Sequence, residues 1–323
     1  MDYKNRGNRA TREGFSHGLY ELADKYDNLV GLGADITASV GMDALAEKHP
    51  ERFISLGIAE QNCIGVAAGL ALSGKVPVFS TYGVFAGMRT TDQVRISICY
   101  NNLHVIIGGA HAGVSVGPDG ATHQALEDIA IMRVLPNMCV LSPADATQTR
   151  LATIAAYEQR NAPVYLRFGR AAFPDYTDPL ERFEIGKAQL MRNGNDISII
   201  ATGHMVWEAL LAAEVLQKHN ISARVINMHT IKPIDKLTIV DAARETRAII
   251  TAEEHQVHGG LGSAVAEVVV ENHPVPMALI GMQDSFGESG EPEELMIKYG
   301  LKAENIIDKA MLLLKKSSSD IHD

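Results

Sequence analysis

An α/β protein of two doubly wound domains is what this sequence predicts, and three observations carry the expectation. Short apolar runs alternate with longer helical patterns through residues 1–168, the arrangement of a mostly parallel sheet covered on both faces. The stretch 169–194, GRAAFPDYTDPLERFEIGKAQLMRNG, breaks that rhythm with prolines, charges and mixed polarity, as an inter-domain connection does. The rhythm then resumes. A boundary near residue 182 divides the chain into a unit at 1–182 and a smaller one at 183–323.

In chain order, NLVGLG, RFISL, VPVFS, HVIIGGA, MCVLS and PVYLRF are the buried strands of the first unit, each a short apolar run bounded by turn residues. DISIIAT, SARVINM, RAIITAE and PMALIGM are those of the second. VWEALLAAEVLQKHN and a terminal segment at 303–316 have helical periodicity. The tail KKSSSDIHD is polar and expected to fray.

The composition, 46% hydrophobic and 21% charged over 323 residues, is that of a globular protein with a sizeable core. A net charge of −10 gives no global attraction for nucleic acid or an anionic membrane, so an anionic substrate needs a local basic cluster. IGVAAGLAL at 64–72 falls far short of the roughly 20 residues that span a bilayer. The N-terminal residues lack an apolar signal core, which makes a cytoplasmic location the expectation. Cys63, Cys99 and Cys139 have no CxxC spacing and read as small buried hydrophobes.

Ligands of open α/β sheets sit beyond the carboxyl ends of the strands, and the chemically informative residues follow the strands. Asp35 and Ser39 follow the first, Glu60 the second, Tyr82 and Phe85 the third, His111, Asp119 and His123 the fourth, and Arg167 ends the sixth. Glu60, in GIAEQN, stands at the start of a helix rich in Gly and Ala. A helix N-terminus favours its carboxylate and burial favours the neutral acid; the sequence leaves that contest open. Taken singly, Glu60 is a helix-start residue, Tyr82 and Phe85 are core aromatics on one side of a turn, and Arg12 and Arg167 form surface salt bridges. HAGVSVGPDGATHQ, 111–124, puts two histidines and an aspartate in a Gly-rich loop without the spacing of a helical metal-binding His pair. GGLGSAV in the second unit reads as helix–strand packing and subunit contact.

RFISLGIAEQNCIGVAAGLALSGKVPVFSTYGVFAGMRTTDQVR and GPDGATHQALEDIAIMRVLPNMCVLSPADA together resemble the pyrimidine-binding half of transketolase, and 195–315 resembles that family's C-terminal domain. The relatives include 1-deoxyxylulose-5-phosphate synthase and the β subunits of 2-oxoacid dehydrogenases. The resemblance implies thiamine diphosphate as cofactor. Glu60 matches the glutamate that hydrogen-bonds the aminopyrimidine nitrogen, a proton-donating acid that activates the cofactor. Tyr82 and Phe85 match the positions stacking on the pyrimidine, with Met88 where larger transketolases carry a third aromatic. Asp35 is implied as a cofactor-side polar residue and Ile36 as the apolar wedge beneath the bent cofactor. Ser39, His111, Arg12 and Arg167 are implied at the anionic end of the substrate, Asp119 at a donor hydroxyl, and His123 at the reacting oxygen, where a group that exchanges protons near neutral pH is suited.

The diphosphate and Mg²⁺ of such enzymes are held by a separate domain with a GDG motif, and no GDG occurs in these residues. The expectation is therefore no metal site in this chain and a partner, the N-terminal transketolase subunit carrying the GDG domain, in a two-plus-two assembly. The leading function is one subunit of a split transketolase that moves a two-carbon ketol unit from a phosphorylated or sulfonated ketose to an aldose phosphate. A synthase-like or dehydrogenase-like decarboxylating subunit and a non-catalytic regulatory subunit are the alternatives.

Overall fold

A computed structural model describes residues 3–159 and 162–319, with side chains to residue 315 in the last helix. The strands are β1 (Asn8–Ala10), β2 (Leu29–Gly33), β3 (Phe53–Ser55), β4 (Val76–Tyr82), β5 (Ile106–Ala110), β6 (Cys139–Leu141), β7 (Val164–Arg167), β8 (Ala172–Pro174), β9 (Gln189–Arg192), β10 (Ile197–Ala201), β11 (Ala223–Asn227), β12 (Thr230–Lys232), β13 (Ile249–Gln256) and β14 (Met277–Met282). Every strand expected from the sequence is present. The last helix, Ala303–Ser319, runs beyond 316, and the end of the polar tail, 320–323, lies outside the described residues.

The larger sheet has the order β12-β6-β7-β5-β4-β2-β3. Its strands are parallel except β12, which lies antiparallel to β6 and comes from the second half of the chain. The second sheet has the order β14-β13-β10-β11-β9, with only β9 antiparallel. A ribbon of β1 and β8 stands apart from both. β2, β5, β7 and β10 are buried along their whole length, and each Leu, Ile or Val so enclosed contributes about 1.5–3 kcal/mol.

Two packing details position the candidate site. The chain leaves β2 toward β3 on one side and then returns across it to β4, so the carboxyl ends of β2 and β4 flank a topological switch point, where open α/β sheets bind ligands. The helix Thr11–Lys25 lies directly on Ala146–Glu158, because Gly14 and Gly18 carry no side chain; a Cβ on Gly14 would sit 1.9 Å from the Ala146 carbonyl oxygen. This close approach brings Arg12, in the first turn of that helix, to the rim.

The helix Glu60–Leu72 buries Cys63, Ile64, Ala67 and Ala68 and leaves Asn62, Gly65, Gly69 and Leu72 exposed. Burial raises the thiols of Cys63 and Cys99 to about 11 and that of Cys139 to about 12, which keeps all three protonated and inert. Ahead of the helix Leu261–Asn272, the buried carboxylate of Glu253 accepts the N–H groups of Leu261 and Gly262 at 2.7 and 2.8 Å. The Gly-rich turn thus has its anion from its own chain, in accord with a packing role.

Candidate active site

The switch-point crevice gathers most of the residues singled out in the sequence. Asp35, exposed just beyond β2, has φ = +67°, a left-handed conformation that Asp tolerates better than most side chains. The loop continues past half-buried Ile36 to Ser39, whose hydroxyl lies 3.0 Å from the Tyr82 hydroxyl at the end of β4. Arg12 donates to the Ser39 carbonyl at 3.2 Å. The ring of Tyr82 lies 4.1 Å from that of His111, 5.5 Å from that of His123 and 5.9 Å from that of Phe85, centroid to centroid. Phe85 and His123 meet edge to face at 5.7 Å. Phe85 opens a wide turn of π-helix, Phe85–Arg89, a distortion frequent at functional sites.

His111 is only 1% exposed and also has a positive φ, +54°. Its Nδ1 is buried without a hydrogen-bond partner among the described residues. Burial, then the nearby positive charges of Arg170 and Arg12, lower its pKa to about 4, so the ring is neutral at pH 7. His123 is half-buried, with Nδ1 2.9 Å from the Thr122 hydroxyl, which leaves Nε2 as its other polar atom. Asp119 is exposed and lies 3.4 Å from Arg170, whose guanidinium also donates to the Val116 carbonyl at 3.0 Å.

The structure places Arg167 mostly inside the protein. Its side chain is 5% exposed and engaged through two of its three nitrogens: Nε donates to both Asp128 oxygens at 2.9 and 3.2 Å, and Nη2 to the carbonyls of Ala125 and Glu254 at 3.1 and 2.8 Å. Burial works against its charge, but Asp128 and Glu254 outweigh that effect and raise its pKa. That leaves the two Nη1 hydrogens as the donors it could still offer an anion. A further cation at the rim is Arg170, three residues later, which the sequence reading passed over. The doubled arginine of YLRFGR was the available signal: the first ends a buried strand and the second lies in the turn after it, where ligand-binding residues belong.

Glu60 is the first residue of its helix and 3% exposed. Its partner within the chain is Arg89, which donates to the two carboxylate oxygens at 2.8 and 2.9 Å while lying over the Phe85 ring at 4.1 Å. The resemblance implied a neutral acid facing a cofactor nitrogen; in the chain by itself the acid stands in an ion pair. Arg89 is 45% exposed along its side chain. Beside it a cleft of about 310 Å³ is lined by Val84, Phe85, Met88, Arg89, Thr122 and Phe286, among others. Its aromatic walls, Phe85 and Phe286, suit a flat ring, and Arg89, which also lines it, is the partner of the buried Glu60 carboxylate.

The transketolase pyrimidine-binding domain matches residues 8–175, and the transketolase C-terminal domain matches residues 186–306. A 6-deoxy-6-sulfo-D-fructose transketolase subunit from Clostridium sp. is 43% identical over 90% of this chain and 90% of its own length. One of the subunits of an apulose-4-phosphate transketolase from Phocaeicola vulgatus is 40% identical over 95% of this chain and 98% of its own length. Among solved structures, a split gene transketolase described as an inactive β4 tetramer superposes with a TM-score of 0.89 at 47% identity, covering 95% of this chain and 98% of that one. With both domains matched in order and relatives aligned nearly end to end, the chain belongs to the transketolase family and carries its pyrimidine-binding and C-terminal domains.

Proposed function

We propose that this chain is the pyrimidine-side subunit of a two-chain transketolase, which transfers a two-carbon ketol unit from an anionic ketose to an aldose phosphate. The observation that carries the reading is the convergence, on one sheet rim, of a buried acid beside an aromatic cleft with a cluster of Ser39, His111, Arg12 and Arg170. That basic cluster is the local anion site that a chain of charge −10 requires. The two split-subunit relatives act, by their names, on a sulfonated and a phosphorylated sugar, and a cluster of Arg, His and Ser accepts either group. The units at 1–182 and 183–323 are part of the same reading.

Thiamine diphosphate, when bound, supplies a thiazolium carbon acid able to break and remake a carbon–carbon bond next to a carbonyl. Glu60 would hold the pyrimidine nitrogen once Arg89 releases it, Tyr82 and Phe85 would flank the ring, and Asp35 and Ile36 would line the cofactor side. His123 Nε2 would hold or move a proton at the reacting oxygen, and Asp119 would accept a donor hydroxyl. We assign the diphosphate and Mg²⁺ to a partner chain with a GDG domain. The exposed face made by Ile58, Gly65, Gly69, Leu72 and Tyr100 suits pairing with a second copy, giving a two-plus-two assembly; the β4 tetramer of the split relative supports self-association.

Reconstitution with that partner, thiamine diphosphate and Mg²⁺ tests the assignment. Glu60→Ala should lower kcat for ketol transfer by about a hundredfold or more, and near-normal turnover would remove Glu60 from the mechanism. Release of carbon dioxide from pyruvate in place of ketol transfer would move the chain to the synthase-like group.

A further inference from the structure

Among the side chains through which the C-terminal half meets the rim, one is a buried acid. Glu254, on β13, is 3% exposed. Its Oε1 accepts the backbone N–H of Ser115 at 2.5 Å and its Oε2 accepts the Ser115 hydroxyl at 3.1 Å. Ser115 lies midway between His111 and Asp119 in the loop that carries both. Gly113, in the same loop, has φ = +82°, and a Cβ there would lie 2.0 Å from the Glu254 carboxyl carbon, so the loop backbone is drawn against the carboxylate itself.

Neighbouring contacts hold the same stretch. The Glu254 carbonyl receives Arg167, Gln256 N–H donates to the Leu126 carbonyl at 2.9 Å, and the Gln124 amide donates to the Glu288 carbonyl at 2.8 Å. On its far side, Oε2 of Glu254 lies 3.0 Å from His204 Nε2. The His204 ring stacks on Phe173 at 3.9 Å, in the strand that follows Arg170. Glu254 therefore stands between the two segments that supply the basic cluster, His111–Asp119 on one side and Arg170–Phe173 on the other.

A buried carboxylate is costly unless donors surround it, and core packing alone calls for an apolar side chain here. We propose that Glu254 is a positioning residue: its carboxylate fixes the loop Gly113–Gly117 and thereby the placement of His111 and Asp119, which makes the C-terminal domain a structural part of the substrate site. The effect on substrate rests on the ketol-transfer reading; the effect on the loop does not.

Hydrogen exchange by mass spectrometry on the full chain tests the loop directly. Loss of a backbone N–H bond to a buried carboxylate should speed exchange at Gly113–Gly117 about ten- to a hundredfold in Glu254→Ala. Glu254→Gln, which keeps one acceptor oxygen, should fall between that variant and the wild type, with exchange in β10 and β13 unchanged in both. If Glu254→Ala also loosens β10 and β13, Glu254→Gln decides by the same criterion. In the reconstituted enzyme, Glu254→Gln should raise KM for an anionic ketose about tenfold and leave kcat within about twofold, the pattern of a displaced binding loop. Wild-type exchange in the loop of both variants, or a loosened loop with an unchanged KM, overturns the proposal. An assembly inactive even with wild-type chain overturns the ketol-transfer reading, and the exchange result then decides for Glu254 alone.

Discussion

Arg167 and Arg170 are three residues apart and opposite in character, and the difference is testable. Arg167→Ala leaves Asp128 a buried charge without its partner and should cost about 3–5 kcal/mol in urea unfolding. Arg170→Ala removes a partly exposed cation and should leave stability within about 0.5 kcal/mol while raising KM for an anionic ketose about ten- to a hundredfold, the worth of a charge-assisted hydrogen bond. If Arg167→Ala folded normally and lost only substrate affinity, the two roles would be reversed. His111 adds a pH dependence whose sign is fixed. Its pKa is depressed from 6.5 to about 4, so an unfolded chain takes up this proton at a higher pH than the folded one does. Its contribution is present above pH 6.5 and is lost as pH falls toward 4, to the extent of about 3 kcal/mol. His229, buried and likewise lowered to about 4, acts in the same window. Urea midpoints at pH 7.5 and 4.5 should therefore fall less in His111→Gln than in the wild type, without the fall disappearing; an identical fall in both would refute the depressed value.

At the scale of elements, Asp145 joins two segments that the sequence shows far apart. As N-cap of the helix Ala146–Glu158 it accepts Gln148 N–H at 2.8 Å, and its second oxygen accepts the N–H groups of Tyr176 and Thr177, each at 2.7 Å. Asp145→Ala should cost about 3 kcal/mol or more, above an ordinary cap, because several buried donors lose their acceptor together. A loss of only about 1 kcal/mol in a chevron or urea titration would show the cap acting alone. The longer strands were legible because β2, β4, β5 and β10 are apolar runs bounded by turns. β1, β8, β9 and β12 were not, since none has a sustained apolar run of its own and each exists through a partner distant in sequence. The same limit applies at the rim. Tyr82, Phe85, His111 and His123 could be placed by their position after strands, whereas the Glu60–Arg89 pair depends on a π-turn that no periodicity announces. The burial of Arg167 depends on Asp128, a residue that looks like an ordinary first-turn carboxylate until the fold carries it beneath the strand end.

For the whole molecule, the decisive quantity is how much of the cofactor one chain holds. On the proposed reading this chain offers aromatic faces and the acid of Glu60, and two terms oppose binding when it stands alone. Arg89 must be displaced from an ion pair with both Glu60 oxygens, and a polyanionic diphosphate must approach a protein of net charge −10 without its Mg²⁺ site. Contacts from a metal-bridged diphosphate are charge-assisted, and losing about 3 kcal/mol of them weakens affinity about a hundredfold. Calorimetric titration of the isolated chain with thiamine diphosphate should show binding at least about a hundredfold weaker than that of the two-chain assembly, with little response to Mg²⁺. Thiamine, which lacks the diphosphate, should bind the isolated chain about as well as thiamine diphosphate does, because only the ring is held. Tight, Mg²⁺-dependent binding by the isolated chain would place the diphosphate site within it and end the two-chain reading.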